Sequence, residues 1–202
     1  VTKLGADLSY HWTHVEASND PYGGNKPLLV DSGDNIYFMG KNPSQYMILI
    51  KLNSAGTVVW TKTIVTDGYT VEGQGIEVDS SDNIYVVGTF YCQGDFNPGV
   101  GVDTVVFAGE SDIFLLKVKK DGSHGWVRTF GGDSYDFGNV IEINQADNLY
   151  IGGNFRGTVD FDPSDVDVDN RTSVAHDAIR SIETDSIGDI YIGGSFVHRR
   201  HK

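Results

Sequence analysis

Apolar positions along the chain fall in short runs, each bounded by clusters of Asp, Ser, Asn and Gly. One stretch shows the scheme. Gly75-Ile76-Glu77-Val78-Asp79 alternates, Ser80-Ser81-Asp82-Asn83 interrupts it, and Ile84-Tyr85-Val86-Val87-Gly88-Thr89-Phe90 resumes as a near-continuous apolar run. Alternation is the mark of a half-buried strand, and the interrupting residues close turns through their own backbone. Asp112 to Val118 gives a third strand, Lys120-Asp121-Gly122 a turn, and Gly125 to Phe130 a fourth. The pattern predicts four antiparallel strands per unit. The apolar run Ile84 to Val87 further predicts that both faces of that strand are covered, as when sheets stack on one another.

The unit repeats. Lys3, Lys51 and Lys117 are each followed nine positions later by a tryptophan, Trp12, Trp60 and Trp126, so all three tryptophans share one repeat position. A second motif ends in Tyr37, Tyr85, Tyr150 and Tyr191, written Asp34-Asn35-Ile36-Tyr37 in the first copy and Gly188-Asp189-Ile190-Tyr191 in the last. The tyrosines are 48, 65 and 41 residues apart, a unit of about 45 residues that varies by loop insertion and deletion. Such a period predicts a propeller or a solenoid, and four-stranded antiparallel units predict propeller blades.

Composition supports this. Val plus Ile number 37 against 16 for Leu plus Ala, which favours pleated sheet over helix. Of 28 acidic residues 22 are Asp, the acid of turns and caps. The net charge of −13 lacks the cationic face that counterion release requires, so a nucleic-acid partner is not expected. No membrane span is expected either, since the longest apolar stretch is Tyr46 to Ile50. The chain starts at Val1 rather than Met, which points to a processed leader or a piece of something larger, and residues 197–202 form a basic tail. Cys92 is the sole cysteine, so no intrachain disulfide forms, and its place at the end of a strand pattern reads as a small apolar filler. Asn170-Arg171-Thr172 fits the glycosylation acceptor triplet.

Asp112 to Trp126, Gly131-Gly132, Ile141-Glu142-Ile143-Asn144 and Asn148-Leu149-Tyr150-Ile151-Gly152-Gly153 together resemble the bacterial β-propeller repeat known as SBBP. Gly94-Asp95-Phe96-Asn97-Pro98-Gly99 and its echo Phe155 to Pro163 are similar to the variant found in secreted and cell-surface proteins of environmental bacteria. The resemblance covers nearly the whole chain and implies an all-β fold: a β-propeller of four-stranded antiparallel blades, about four blades or a fragment of a larger ring. It implies an extracellular or cell-surface protein, or a periplasmic one. Residues 1–196 are expected to form one domain: a half-blade at 1–15, blades at about 26–64, 74–130 and 139–176, and a half-blade at 178–196. The third blade departs from the pattern, because the tryptophan strand expected before Asp177-Ala178-Ile179 is missing. The opening and closing half-blades would make one blade, which predicts strand 190–196 in the same sheet as residues 1–15 and so removes two open edges.

Candidate chemistry is sparse. The Asp-rich turns Asp31 to Asp34, Asp79 to Asp82 and Asp185 to Asp189 are read as hairpin closures rather than metal ligands. Asp160, Asp162, Asp165, Asp167 and Asp169 place five carboxylates in ten positions and form the candidate calcium site. They miss the helix-loop-helix calcium pattern, which needs Gly where Asn170 stands and Glu where His176 stands. The Gly56 to Trp60 and Gly122 to Trp126 spacing resembles the tryptophan docking motif of pyrroloquinoline-quinone propellers and misses the sialidase Asp-box, so the tryptophans are read as packing between blades. The six histidines share no metal spacing, and no phosphate loop, nucleophile elbow or zinc-protease pattern occurs.

Strand alternation sends the connections from second to third strands and from fourth to next-first strands to one end of the blades. The insertions 91–111 and 156–176 and the loop Gly131 to Phe137 therefore share a face. The expected function is a non-enzymatic extracellular binding or assembly module, taking a protein or glycan partner near Asp95, Asp133, Tyr135 and Asp136, or assembling with itself through open sheet edges. Two alternatives stand beside it. One is a hydrolase, lyase or quinoprotein propeller using Asp133, Asp136, Asp160 and Asp162. The other is a filament or surface-layer subunit.

Overall fold

The computed structural model describes residues 1–15, 27–68, 70–160, 170–173, 178–184 and 190–195, with backbone alone from Asp160 onward. Every regular element among them is a β-strand, and the paired strands run antiparallel. A hairpin of β1 (Thr2–Leu4) and β2 (Tyr10–Thr13) comes first. The first blade is β3 (Leu28–Val30), β4 (Ile36–Lys41), β5 (Met47–Leu52) and β6 (Val58–Thr66) in sequence order. The second comprises β7 (Val71–Val78) and β8 (Ile84–Phe90), then, after an insertion, β11 (Asp112–Val118) and β12 (His124–Phe130). The insertion carries a short hairpin, β9 (Gly94–Asp95) with β10 (Thr104–Val105). Three further hairpins follow: β13 (Phe137–Ile143) with β14 (Leu149–Asn154), β15 (Gly157–Asp160) with β16 (Asn170–Ser173), and β17 (Ala178–Thr184) with β18 (Ile190–Ser195).

The blades stack face to face. β13 packs on β7 and β8, and β17 packs on β13 and β14. Period-2 alternation assigns each side chain to one junction, which explains why the middle strands are apolar throughout. In β5, Met47 and Leu49 join the cluster shared with the second blade, while Ile48, Ile50 and Leu52 join the one under Val1 and Trp12. In β8, Ile84, Val86 and Phe90 face the first blade, whereas Tyr85 and Val87 face Ile141 of β13. Each such side chain, fully buried, contributes roughly 1.5–3 kcal/mol. The innermost strands share a register shift at one place, between Gly73 and Gly75, Gly138 and Val140, and Ile179 and Ser181. A repeated bulge at one position is the structural form of the sequence repeat.

Two features differ from the sequence expectation. Insertion 91–111 is not wholly loop, because β9 pairs with the end of β6, Val65 opposite Asp95 and Thr66 opposite Gly94, extending the first blade to six strands. The second blade thus reaches back to cover the outer edge of the first, which blunts an exposed edge. The closing pair is also not made among the described residues. β1–β2 and β17–β18 stand as separate two-stranded sheets, and no third or fourth strand extends β14.

Candidate functional site

At the turn end of the blades one polar arrangement recurs from blade to blade. Asp31 accepts hydrogen bonds from the backbone N–H of Gly33 and Asn35, from the Asn35 side chain, and from the Tyr37 hydroxyl at 2.8 Å. Lys51 lies over the Tyr37 ring, 5.0 Å from its centre, with Asp31 3.9 Å away. Asp79, Asn83, Tyr85 and Lys117 repeat the arrangement, with Lys117 4.7 Å above the Tyr85 ring and 3.3 Å from Asp79. Burial raises the pKa of Asp31 and Asp79, but the hydrogen bonds outweigh it and hold both carboxyls below the usual range. Burial and the Asp31 carboxylate push the Tyr37 phenol up. These turns close hairpins, and they also link blades: Ser32 Oγ donates to Asp82 at 3.1 Å, and Ser80 N–H and Oγ donate to Asp147. In the third blade Asn144 replaces the Asp and donates to the Tyr150 hydroxyl at 3.3 Å. Tyr191 lies in β18, where backbone alone is described.

The tryptophans sit at the outer edge. Trp12 lies directly against Gly56, and its Nε1 donates to the Ser54 carbonyl at 3.1 Å. Trp60 lies likewise against Gly122 of the next blade. Both glycines have positive φ, +80° and +82°, and a Cβ at either would meet the indole at 2.6 or 3.2 Å. Only glycine meets both demands. Trp126 is half-buried beside Tyr85, with the Arg128 guanidinium over its ring.

At the opposite end, insertion 91–111 meets the loop 131–136. Ser111 bridges to Tyr135, and its Oγ donates to the Asp136 carbonyl while accepting the Asp136 N–H. Asp136 is fully buried and accepts the N–H groups of Gly132 and Arg156 at 3.0 Å each. It organises the loop and is not presented to a ligand. Asp112 is buried beside it. One Asp112 carboxylate oxygen accepts the Ala108 N–H at 2.8 Å, and the other finds no partner among the described residues. Burial first, then the Asp136 charge, push the Asp112 pKa up to about 6 against the Ala108 hydrogen bond. Asp133 and Tyr135 are exposed, and the Tyr135 ring stacks parallel to Phe137 with centres 6.2 Å apart. A cavity of about 270 Å³ beside them is lined by Tyr135, Phe137, Asn154, Phe155 and Arg156. Asp95 lies apart, within the β9–β10 hairpin, where it accepts the N–H groups of Asn97 and Asp103.

A run from the docking tryptophan through the inner strands of the following blade, residues 59–89, matches the SBBP β-propeller repeat. The chain carries an SBBP repeat. No curated protein matches the chain. The SBBP segment joins Trp60 to Tyr85, so the matched residues contain one tryptophan that docks on a neighbour and one complete Asp-Asn-Tyr turn. Its turns fill their carboxylate oxygens with internal hydrogen bonds, and no group of three His, Cys, Asp or Glu able to hold a metal occurs among the described residues. The candidate calcium residues Asp162, Asp165, Asp167 and Asp169 lie outside the described residues, and Asp160 is described by its backbone alone, paired to Asn170.

Sequence reasoning missed Ser111, Asp112, Phe137 and Arg156. Asp112 opens a strand, and an Asp at that place carries no periodic signal to distinguish a buried carboxylate from an exposed one. The Tyr135-x-Phe137 spacing does hold a signal, since residues two apart on an extended chain share a face.

Proposed function

We propose that the protein is a non-enzymatic binding module whose ligand seat is the insertion-bearing end of the blades, centred on Tyr135. One observation carries this reading. Tyr135 is 45% exposed yet stacked on Phe137 over a cavity of about 270 Å³, a flat apolar shelf that Asn154 and Arg156 also line. Shallow cavities with aromatic walls and a few convergent polar groups suit ligands with one apolar and one polar face, such as pyranose rings. The rigid blade array beneath and the tether through Ser111 and Asp136 hold that shelf without ligand, which lowers the ordering cost of binding. The reading includes an extracellular or cell-surface setting, consistent with an acidic surface and one buried thiol. Among the described residues no helix is long and apolar enough to cross a membrane.

Of the four carboxylates the enzyme alternative would use, Asp136 is buried in loop hydrogen bonds and Asp133 is exposed, while Asp160 is described by its backbone alone and Asp162 lies outside the described residues. A panel of immobilised bacterial and plant polysaccharides tests the proposal. Retention by the wild type and its loss in Tyr135→Ala support it. Retention unchanged in Tyr135→Ala, or no retention on any member, overturns it. Turnover of sialoside, polysaccharide or dye-linked quinone substrates that Asp133→Ala abolishes would establish the enzyme instead.

A further inference from the structure

The connections at the insertion end differ between the first and second blades. Met47 of β5 pairs with Lys41, and Ile113 of β11 pairs with Thr89, so Tyr46 and Gln45 hold the repeat positions of Asp112 and Ser111. Across the outer pair, Met47 is opposite Ile64 and Ile113 opposite Phe130, which makes Thr66 and Asp67 the counterparts of Gly132 and Asp133. In the second blade these connections close on one another. Asp112 rests on the Gly131 backbone, and Ser111 is bonded to Asp136 in both directions. In the first blade they stay apart. Ser44, Gln45, Tyr46, Thr66 and Asp67 line, among others, a cavity of about 410 Å³ between the turn 42–46 and the end of β6.

The lining is hydroxyl, amide and carboxylate around one aromatic ring. Tyr46 is half-buried, and its backbone is fixed: Asn42 Oδ1 accepts the N–H groups of Ser44 at 3.0 Å and Tyr46 at 3.1 Å, and the Asn42 N–H donates to the Tyr46 carbonyl at 3.0 Å. Thr66 is buried and Asp67 exposed. A ring with donors and acceptors around it suits a polyhydroxylated ligand with an apolar face, the same chemistry as at Tyr135. The two seats share one end of the blades and are joined through the chain between them. The Asp67 N–H donates to the Gln93 carbonyl at 3.2 Å. Tyr91, two residues earlier, is half-buried, and burial, then the Glu72 carboxylate and the Tyr135 phenol near it, push its own phenol up. Stacked sheets lie about 10 Å apart, so a single ring on Tyr135 does not reach Tyr46, whereas a chain of rings does.

We propose that the first-blade cavity at Tyr46 is a second saccharide subsite, and that the ligand of the Tyr135 shelf is a glycan chain long enough to occupy both, passing Tyr91. The inference rests on the reading of Tyr135 as a ligand seat. Two seats on one rigid array turn the second contact into an intramolecular one, so affinity rises with chain length by about a hundredfold with no change at Tyr135 itself. A site for one sugar shows no such dependence.

Partial hydrolysates of xylan, mannan, dextran and alginate, separated by size, are the probes for calorimetric titration of the full chain. At least one is expected to bind about a hundredfold more tightly as long fragments than as short ones. Tyr46→Ala is expected to lose that gain. Asp67→Ala, at an exposed position, gives the same reading if Tyr46→Ala fails to fold. Binding that Tyr135→Ala abolishes but that is equally tight for short and long fragments overturns the second subsite and leaves the shelf standing. A length dependence that persists in both first-blade variants overturns it as well. No binding of any fragment overturns both readings.

Discussion

At the scale of single residues, the informative group is the buried carboxylate of Asp112. Its pKa of about 6 in the folded protein exceeds the ordinary 3.8, so between those values the folded state binds more protons than the unfolded one. The sign follows: this group lowers stability as pH rises from about 4 to about 6, and above that range its ionised form sits buried at a cost of order 2–3 kcal/mol. Asp31 and Asp79 act in the opposite sense. Their depressed values contribute stability at neutral pH that is lost as pH falls through the carboxylate range. Asp112→Asn keeps an acceptor for the Ala108 N–H and removes the charge, so it is expected to stabilise by about 1–2 kcal/mol at pH 7 and by nothing measurable near pH 4. Urea unfolding at the two pH values checks this. Equal effects at both would show that the charge is not the cause.

Among the elements, the β-strands and their repeat were legible because the alternation at Gly75–Asp79, the apolar run Ile84–Phe90 and the Asp-Asn-x-Tyr turns are local signals, although β7 begins earlier, at Val71. The β9–β10 hairpin was not. Its strands are two residues long, too short for periodicity, and its partner β6 is adjacent in space rather than next in the chain. Phe96 shows what this hairpin does: fully buried, it packs against Phe114 between two blades, with ring centres 5.1 Å apart and the rings tilted by 57°. The tryptophan docking lies between these cases, because spacing identified Trp60 as packing but could not show that its partner is Gly122 one blade on. Trp60→Ala is expected to cost about 2–3 kcal/mol, less than a fully buried aromatic because the indole is half-exposed. Gly122→Ala should cost about 1–2 kcal/mol, combining positive-φ strain with crowding against the Lys62 side chain at 2.6 Å and the indole at 3.2 Å. Since the double variant retains the strain and relieves the crowding against the indole, the two costs should sum to more than the double, and denaturant melts of all three proteins measure the difference.

For the whole molecule, stability comes from junctions rather than from a single centre, as a linear array of blades requires. Among the described residues three junctions each hold their own apolar cluster, so removing the first hairpin exposes one cluster and leaves the others intact. The β1–β2 hairpin covers Ile36, Ile48, Ile50 and Leu52 through Val1 and Trp12. Ile50 and Leu52 are fully buried, and Ile48 is 3% exposed. Deleting residues 1–15 should therefore uncover a contiguous aliphatic patch on the first blade, with increased binding of a hydrophobic dye and loss of solubility. The junction between the first two blades lies on the other face of β5, through Met47 and Leu49, and should keep its hydrogen-exchange protection in β8 and β11. A truncated protein that stays soluble, binds no more dye and melts at an unchanged temperature would show that the hairpin is dispensable cover. Loss of protection throughout β8 and β11 would show that the blades unfold as one unit.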